Sequence, residues 1–120
     1  MKMAYVSFEE LEVWKKACQL SVNTYQLMES SRDYGLKDQM TRASVSIASN
    51  IAEGAERDSI KEFQRFIHIA KGSAAELRTQ LYIATRIKAI ISQQSAELIE
   101  QTRIIAAQLQ TLALNLKPKT

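Results

Sequence analysis

Apolar residues recur at helical spacing along almost the whole chain and divide it into four amphipathic segments. The pattern predicts helices over about 8–29, 36–55, 58–88 and 93–116, joined by short polar connections. Four helices joined by short loops are typical of an antiparallel up-down-up-down bundle, so we expect an all-α fold. Residues 1–120 contain no repeat, linker or low-complexity tract, which indicates a single four-helix-bundle domain.

Helix 1 carries apolar residues on two faces. The first face holds Leu11, Trp14, Cys18, Tyr25 and Met28. The second face, nearly opposite, holds Val13, Leu20 and Leu27 at intervals of seven residues. A helix in a monomeric bundle needs only one apolar face. We therefore expect Val13, Leu20 and Leu27 to form an interface with a second copy, so that the chain forms a homo-oligomer.

Two local signals set the helix starts. Ser7 with Glu10, and Ser59 with Glu62, have the spacing of a capping box. Ser92 is the predicted cap of helix 4, and Pro118 follows that helix. The Gly72-Ser73 pair inside helix 3 indicates close helix packing or a slight kink.

A polar stripe runs beside the apolar side of helix 2. Its candidate members are Arg42, Asn50, Glu53 and Arg57. We interpret it as a hydrogen-bonded network that fixes helix register or a subunit contact, with Glu53 pairing with Arg42 or Arg57. A catalytic site would also need a nucleophile or a metal, and only the carboxylate is evident in the stripe.

Helix 3 concentrates positive charge. At 100° per residue, its basic side chains and one tyrosine fall within an arc of about 140° opposite the apolar side. The members of this arc are Lys61, Arg65, His68, Lys71, Arg78, Tyr82 and Arg86. Such a face suits phosphate groups, and it is also what an ordinary solvated helix face looks like.

The composition excludes several kinds of chemistry. Only 3 glycines and 1 proline among 120 residues favour helix over hairpins. A single cysteine and a single histidine exclude an intrachain disulfide and a zinc site of the His/Cys type. Arg65 stands three residues before His68, which excludes the Glu-x-x-His motif of di-iron bundles. Cys18, on an apolar face, is interpreted as an inert buried thiol.

Apolar run length and net charge bear on the localisation and on the kind of partner. No apolar run reaches the roughly 18 residues of a membrane span, and the first residues lack a signal-peptide core. We expect a cytoplasmic protein without cofactor, metal or membrane contact. The formal net charge of +3 permits an acidic partner without requiring one.

The central sequence YGLKDQMTRASVSIASNIAEGAERDSIKEFQRFIHIAKGSAAEL resembles a bacterial family, and FEELEVWKKACQL resembles its opening. The family consists of four-helix-bundle proteins encoded within intervening sequences of 23S ribosomal RNA genes. The matching positions include Tyr34, Gly35, Leu36, Arg42, Ala43, Asn50, Ile51, Ala52, Glu53, Gly54, Glu62, Phe63, Gly72 and Ser73. The first loop departs from the pattern, because Asp33 precedes Tyr34 and the usual proline is absent.

The resemblance implies a homo-oligomer, most often a pentameric ring, and it brings no catalytic residues. The family is similar to the accessory variability-determinant proteins of diversity-generating retroelements, which are pentameric bundles with basic surfaces that engage nucleic acid. We therefore expect a non-enzymatic oligomer that binds RNA or another nucleic acid through helix 3. The alternative is a protein–protein scaffold or adaptor that binds no nucleic acid.

Overall fold

The computed structural model describes residues 7–116, which contain four α-helices and no strand. The elements are a 3-10 turn at Phe8–Glu10, α1 at Glu12–Met28, α2 at Tyr34–Ala55, α3 at Ile60–Arg86 and α4 at Ser92–Asn115. The all-α class and the number of helices are confirmed. Pro118 lies outside the described residues.

The start of the first helix differs from the prediction. Ser7 Oγ accepts a hydrogen bond from the N–H of Glu9 (3.3 Å) and caps only the short 3-10 turn. Leu11 then adopts an extended conformation (φ −73°, ψ 123°), which ends the turn and makes α1 begin at Glu12. The capping box predicted over Ser7 and Glu10 is therefore wrong.

Side chains cap the starts of α2 and α3. Asp33 Oδ1 accepts a hydrogen bond from the N–H of Leu36 (3.1 Å), and Ser59 Oγ accepts one from the N–H of Glu62 (3.1 Å). The Ser59 cap is the predicted one. The Glu62 carboxylate binds Arg65 (3.2 Å), so the second half of that capping box is not seen.

The connection from α3 to α4 turns through Lys88, which has a positive φ of 62°. The N–H of Ala89 donates to the carbonyl of Ala84 (2.8 Å), the hydrogen bond of a Schellman ending. Ser92 was predicted as the cap of α4, and this is wrong. It is the first helical residue, and the cap position belongs to Ile91, whose side chain makes no capping hydrogen bond.

The helices pack in a closed ring, in which α1 and α3 each contact both α2 and α4. The result is a rod of 52 × 20 × 20 Å. Gln64, near the start of α3, donates to the carbonyl of Ala113 near the end of α4 (2.9 Å). Thr85, near the end of α3, donates to Ser95 near the start of α4 (2.6 Å). These two helices therefore pack with opposite ends together. Within the described part of the chain, no helix is long and apolar enough to cross a membrane.

The inward face of α1 is the face that was predicted to contact a second copy. Leu20 is fully buried and Val13 is 6% exposed, both within the core that the chain's own helices build. Leu27 is half-buried and packs against the same core. The prediction of an interface with another copy at these residues is therefore wrong, because α1 uses this face to bury apolar area within its own chain.

Two glycines have opposite surroundings. A Cβ at Gly54 would lie 2.6 Å from Phe66 Cβ and 3.1 Å from Phe63 Cδ1, so the absence of a side chain at Gly54 lets the end of α2 pack closely on α3. A Cβ at Gly72 would meet no atom within 4 Å. Close packing at Gly72 is therefore not present, and its neighbour Ser73 is the residue that faces inward.

Candidate nucleic-acid interface

The six basic side chains predicted on α3 lie at the surface of the rod. Four are exposed and two are half-buried. The exposed ones are Lys61, Arg65, His68 and Arg86, and the half-buried ones are Lys71 and Arg78. Half-burial of a long cationic side chain places its aliphatic stem on the protein and leaves its charged end near water.

Near the start of α3 the two arginines are paired with carboxylates, whereas the exposed Lys61 forms no ion pair with a described carboxylate. Arg65 pairs with Glu62 (3.2 Å), and Arg57, at the end of α2, pairs with Glu53 (3.1 Å). Both guanidinium groups stack on the ring of Phe66, at 4.6 Å for Arg65 and 4.9 Å for Arg57. This end of the face therefore has its arginines occupied by carboxylates and by an aromatic ring.

The rest of α3 is different. Among the described residues, no carboxylate forms an ion pair with Lys71, Arg78 or Arg86. The Lys71 ammonium donates a hydrogen bond to the Gln110 side chain of α4. Apart from Lys61 at the start of α3, the lysine and arginine side chains of the face that form no ion pair therefore lie from Lys71 onward, on the side of α3 that borders α4.

Arg103 of α4 joins this surface. Its Nη2 donates to the hydroxyl of Tyr82 on α3 (2.8 Å), and its Nη1 lies 3.7 Å from the Glu100 carboxylate. Tyr82 is 45% exposed, so its ring remains accessible. Arg103 and Gln110 were not predicted for this face from the sequence, because only the register between α3 and α4 brings them to it.

The polar stripe of α2 separates into three parts. Asn50 Nδ2 donates to the carbonyl (2.8 Å) and to Oγ (2.9 Å) of Ser46, and Ser46 shares a hydrogen bond with Ser73 of α3 (2.8 Å). This partly buried chain ties α2 to α3. Glu53 pairs with Arg57, which is one of the two predicted partners.

Arg42 belongs to neither group. It pairs with Asp38 (2.9 Å), and its side chain is 78% exposed. The prediction that Arg42, Asn50, Glu53 and Arg57 form one network is therefore wrong. The network fails because Arg42 has a carboxylate one turn earlier on its own helix.

An apolar groove of about 580 Å³ lies between α1 and α2, on the other side of the rod. Its walls include Trp14, Cys18, Val22 and Tyr25 of α1, and Val45 of α2. Val22, Tyr25 and Val45 are 48%, 52% and 42% exposed. The other apolar face of helix 1 is therefore only partly covered, since Met28 is fully buried and Tyr25 is exposed. Trp14 and Cys18 are half-buried against the core, so Cys18, predicted to be buried, lies in the wall of this groove.

Two further side chains with reactive groups are Cys18 and His68. Burial raises the pKa of the Cys18 thiol, which lowers its thiolate fraction at neutral pH. His68 is exposed. Over residues 7–116, no group of three or more His, Cys, Asp or Glu side chains is placed to hold a metal ion.

Comparison with known proteins agrees with this architecture. A crystal structure of a protein with unknown function from the S23 ribosomal protein family of Bacteroides thetaiotaomicron superposes with a TM-score of 0.80. It is 22% identical, and the match covers 84% of this chain and 97% of that one, so it shows the shared fold. No curated protein matches the sequence. The sequence model of the 23S rRNA-intervening sequence protein family matches residues 9–111, and the chain therefore belongs to that family.

Proposed function

We propose that this chain is a non-enzymatic, cytoplasmic protein that binds RNA or another nucleic acid through the face shared by α3 and α4. The observation that carries the proposal is the set of Lys71, Arg78 and Arg86, which share one surface and have no described carboxylate as an ion-pair partner. Phosphate groups are the partners for which such a surface is suited, because neutralising them releases condensed counterions.

The family to which the chain belongs supports RNA as the first ligand to test. The family's description places it in the intervening sequences of 23S rRNA. The basic face contains no motif that reads base edges, so binding is expected to follow charge and shape more than sequence.

The proposal includes assembly of antiparallel up-down-up-down bundles into a homo-oligomer, with a pentamer as the expected ring. The apolar groove between α1 and α2 supports it, because Val22, Tyr25 and Val45 expose apolar area that a second copy would bury. Each copy carries a formal charge of +3. Repeating the face around a ring would build a positive surface much larger than one chain offers.

Salt-dependent binding tests the ligand class. Fluorescence anisotropy with labelled RNA is expected to give an observed association constant that falls linearly with salt on a log–log plot. The double variant Lys71→Glu/Arg78→Glu is expected to remove most of the binding, whereas Arg65→Glu should cost less because Glu62 already neutralises Arg65.

The matched control is the double variant Lys15→Glu/Lys16→Glu, which makes the same change in formal charge at two exposed positions of α1. It should bind as the parent does. If Lys71→Glu/Arg78→Glu binds RNA as tightly as the parent, the basic face does not contact phosphate and the proposed function is wrong.

The groove also favours a second candidate, a protein scaffold or adaptor that binds no nucleic acid. In that case the apolar walls around Val22 and Val45 would seat a different protein, and the α3 cations would only keep the chain soluble. The RNA-binding measurements above separate the two candidates, and light scattering tests whether a second copy covers the groove. A parent mass that is a multiple of 13.6 kDa supports self-association, and a mass of 13.6 kDa leaves the groove open for another partner.

A further inference from the structure

Tyr82 is an aromatic ring held in place on a basic surface. It is 45% exposed, although its hydroxyl accepts a hydrogen bond from Arg103 Nη2 of α4 (2.8 Å). A bond from a second helix restricts the rotation of the side chain while the ring stays open to solvent. Less side-chain freedom is then lost when a ligand packs on the ring.

Positive charge lies on both sides of this ring. Arg78 is four residues before Tyr82 and Arg86 is four residues after it, so each is one helical turn away, with Cβ atoms roughly 5–6 Å apart. In the described chain neither arginine forms an ion pair. Glu100 lies beside Arg103 and reduces its charge, so Arg78 and Arg86 are the main anion contacts here.

We infer that this arrangement binds an unpaired nucleotide, with a base stacked on the Tyr82 ring and the adjoining phosphates on Arg78 and Arg86. The inference rests on the proposed function and narrows it to single-stranded nucleic acid. Base–aromatic stacking combined with a positive track is how proteins hold single strands without reading sequence.

The alternative ligand, a regular duplex, would make fewer contacts with this surface. Bases within a duplex are already stacked on their neighbours, so their faces are not offered to a protein ring. A duplex would present only phosphates to Arg78 and Arg86 and would leave the Tyr82 ring without a partner. The ring is therefore the feature that distinguishes the two ligands.

The experiment compares single-stranded and duplex RNA of the same sequence with the full chain, by fluorescence anisotropy. Tyr82→Leu keeps an apolar side chain but removes the ring, and it is expected to weaken single-strand binding by about 5- to 150-fold, the range for one stacked base. Duplex binding should not change. Tyr82→Phe keeps the ring and should retain single-strand affinity better than Tyr82→Leu.

Tyr34→Leu is the matched control, because Tyr34 is a 70% exposed tyrosine that belongs to α2 and not to the α3/α4 face. It should bind both RNAs as the parent does. Ultraviolet cross-linking of single-stranded RNA containing 5-iodouridine gives an independent readout. The cross-linked peptide should contain Tyr82, since this reaction favours a base stacked on an aromatic ring.

The outcomes separate this inference from the proposed function. Equal affinity of Tyr82→Leu and the parent for single strands overturns the inference, and so does an equal loss for both ligands. If, in either case, Lys71→Glu/Arg78→Glu binds RNA more weakly than the parent does, the basic face contacts phosphate but no base stacks on Tyr82. If the parent binds neither RNA, both the inference and the proposed function are wrong.

Discussion

Two tyrosines of similar exposure lie on opposite sides of the rod and have different neighbours. Tyr25 is 52% exposed and shares the α1/α2 groove with Val22 and Val45. Tyr82 is 45% exposed, is bonded to Arg103, and has arginines one turn away in each direction. Exposure alone therefore does not indicate the role of an aromatic ring. The neighbours favour an apolar partner for Tyr25 and a charged, stacking partner for Tyr82.

The α1/α2 side and the α3/α4 side of the rod therefore suit different kinds of partner. The α1/α2 side offers apolar area that suits another copy, whereas the α3/α4 side offers charge that suits nucleic acid. This difference also predicts different consequences for similar substitutions on α1, because one face of that helix is core and the other is open.

The largest expected effect is that of Leu20→Asp. Leu20 is fully buried, so the substitution places an unpaired carboxylate in the core. We expect the free energy of unfolding to fall by about 4 kcal/mol, which is most of the stability of a domain at the lower end of the usual range. Urea titration followed by far-UV circular dichroism measures it. Native-like stability would show that this face is not core in solution.

Val22→Asp makes a comparable change on the open face of the same helix. Val22 is 48% exposed, so we expect the chain to keep its helical content while the proposed assembly dissociates to the 13.6 kDa chain. Multi-angle light scattering measures the mass, and Val45→Asp should act in the same way from the α2 wall. An assembly that survives both substitutions would exclude this groove as the contact between copies.

Gly54→Ala should destabilise the protein by about 1–3 kcal/mol, the usual cost of overpacking. Its new Cβ would lie 2.6 Å from Phe66 Cβ, so α2 and α3 must move apart at their corner. Thermal unfolding measures the change. A melting temperature equal to that of the parent would mean that α2 and α3 accommodate the methyl group without loss of stability.

Gly72→Ala should stabilise the protein, whereas Gly54→Ala should destabilise it. The position is exposed, helical and open within 4 Å, so removing a glycine from the helix interior is expected to stabilise α3 by roughly 1 kcal/mol. The same melting experiment serves. Increased stability together with weaker RNA binding would indicate that a ligand approaches the α3 backbone at this point.

The smallest effect concerns Cys18. Because burial raises the pKa of its thiol, alkylation by iodoacetamide at neutral pH should be slower in the folded chain than in the chain unfolded by urea. A thiol pKa that is higher in the folded state also means that stability is retained at neutral pH and declines as the pH rises through the folded value. Equal alkylation rates would contradict the burial of Cys18.

The periodicity of apolar residues was sufficient to predict the four helices and most of their inward-facing residues. In α2, apolar residues recur at helical spacing, and Met40, Ala43, Ile47 and Ile51 of this stripe are buried. Leu36, at the start of the same stripe, is half-buried. The Ser59 cap also followed from the sequence, since a hydroxyl and a backbone N–H three residues apart can meet without help from another helix.

The candidate interface could be predicted only in part. The cations of α3 were visible because they lie on one helix, and their common face follows from 100° per residue. Their electrostatic context was not visible. The pairing of Glu62 with Arg65 depends on the rotamers of the two side chains. The hydrogen bond from Arg103 to Tyr82 depends on the axial register of α4 against α3.

The sequence by itself determined that helix 1 has two apolar faces, because periodicity is a property of one segment. Only the tertiary structure decided that Leu20 points inward and that Trp14 and Tyr25 line an open groove. Both rotations of the helix bury apolar side chains, so the local pattern is nearly neutral between them. The choice is made by the shapes that α2 and α4 present to α1, and these belong to segments far away in the chain.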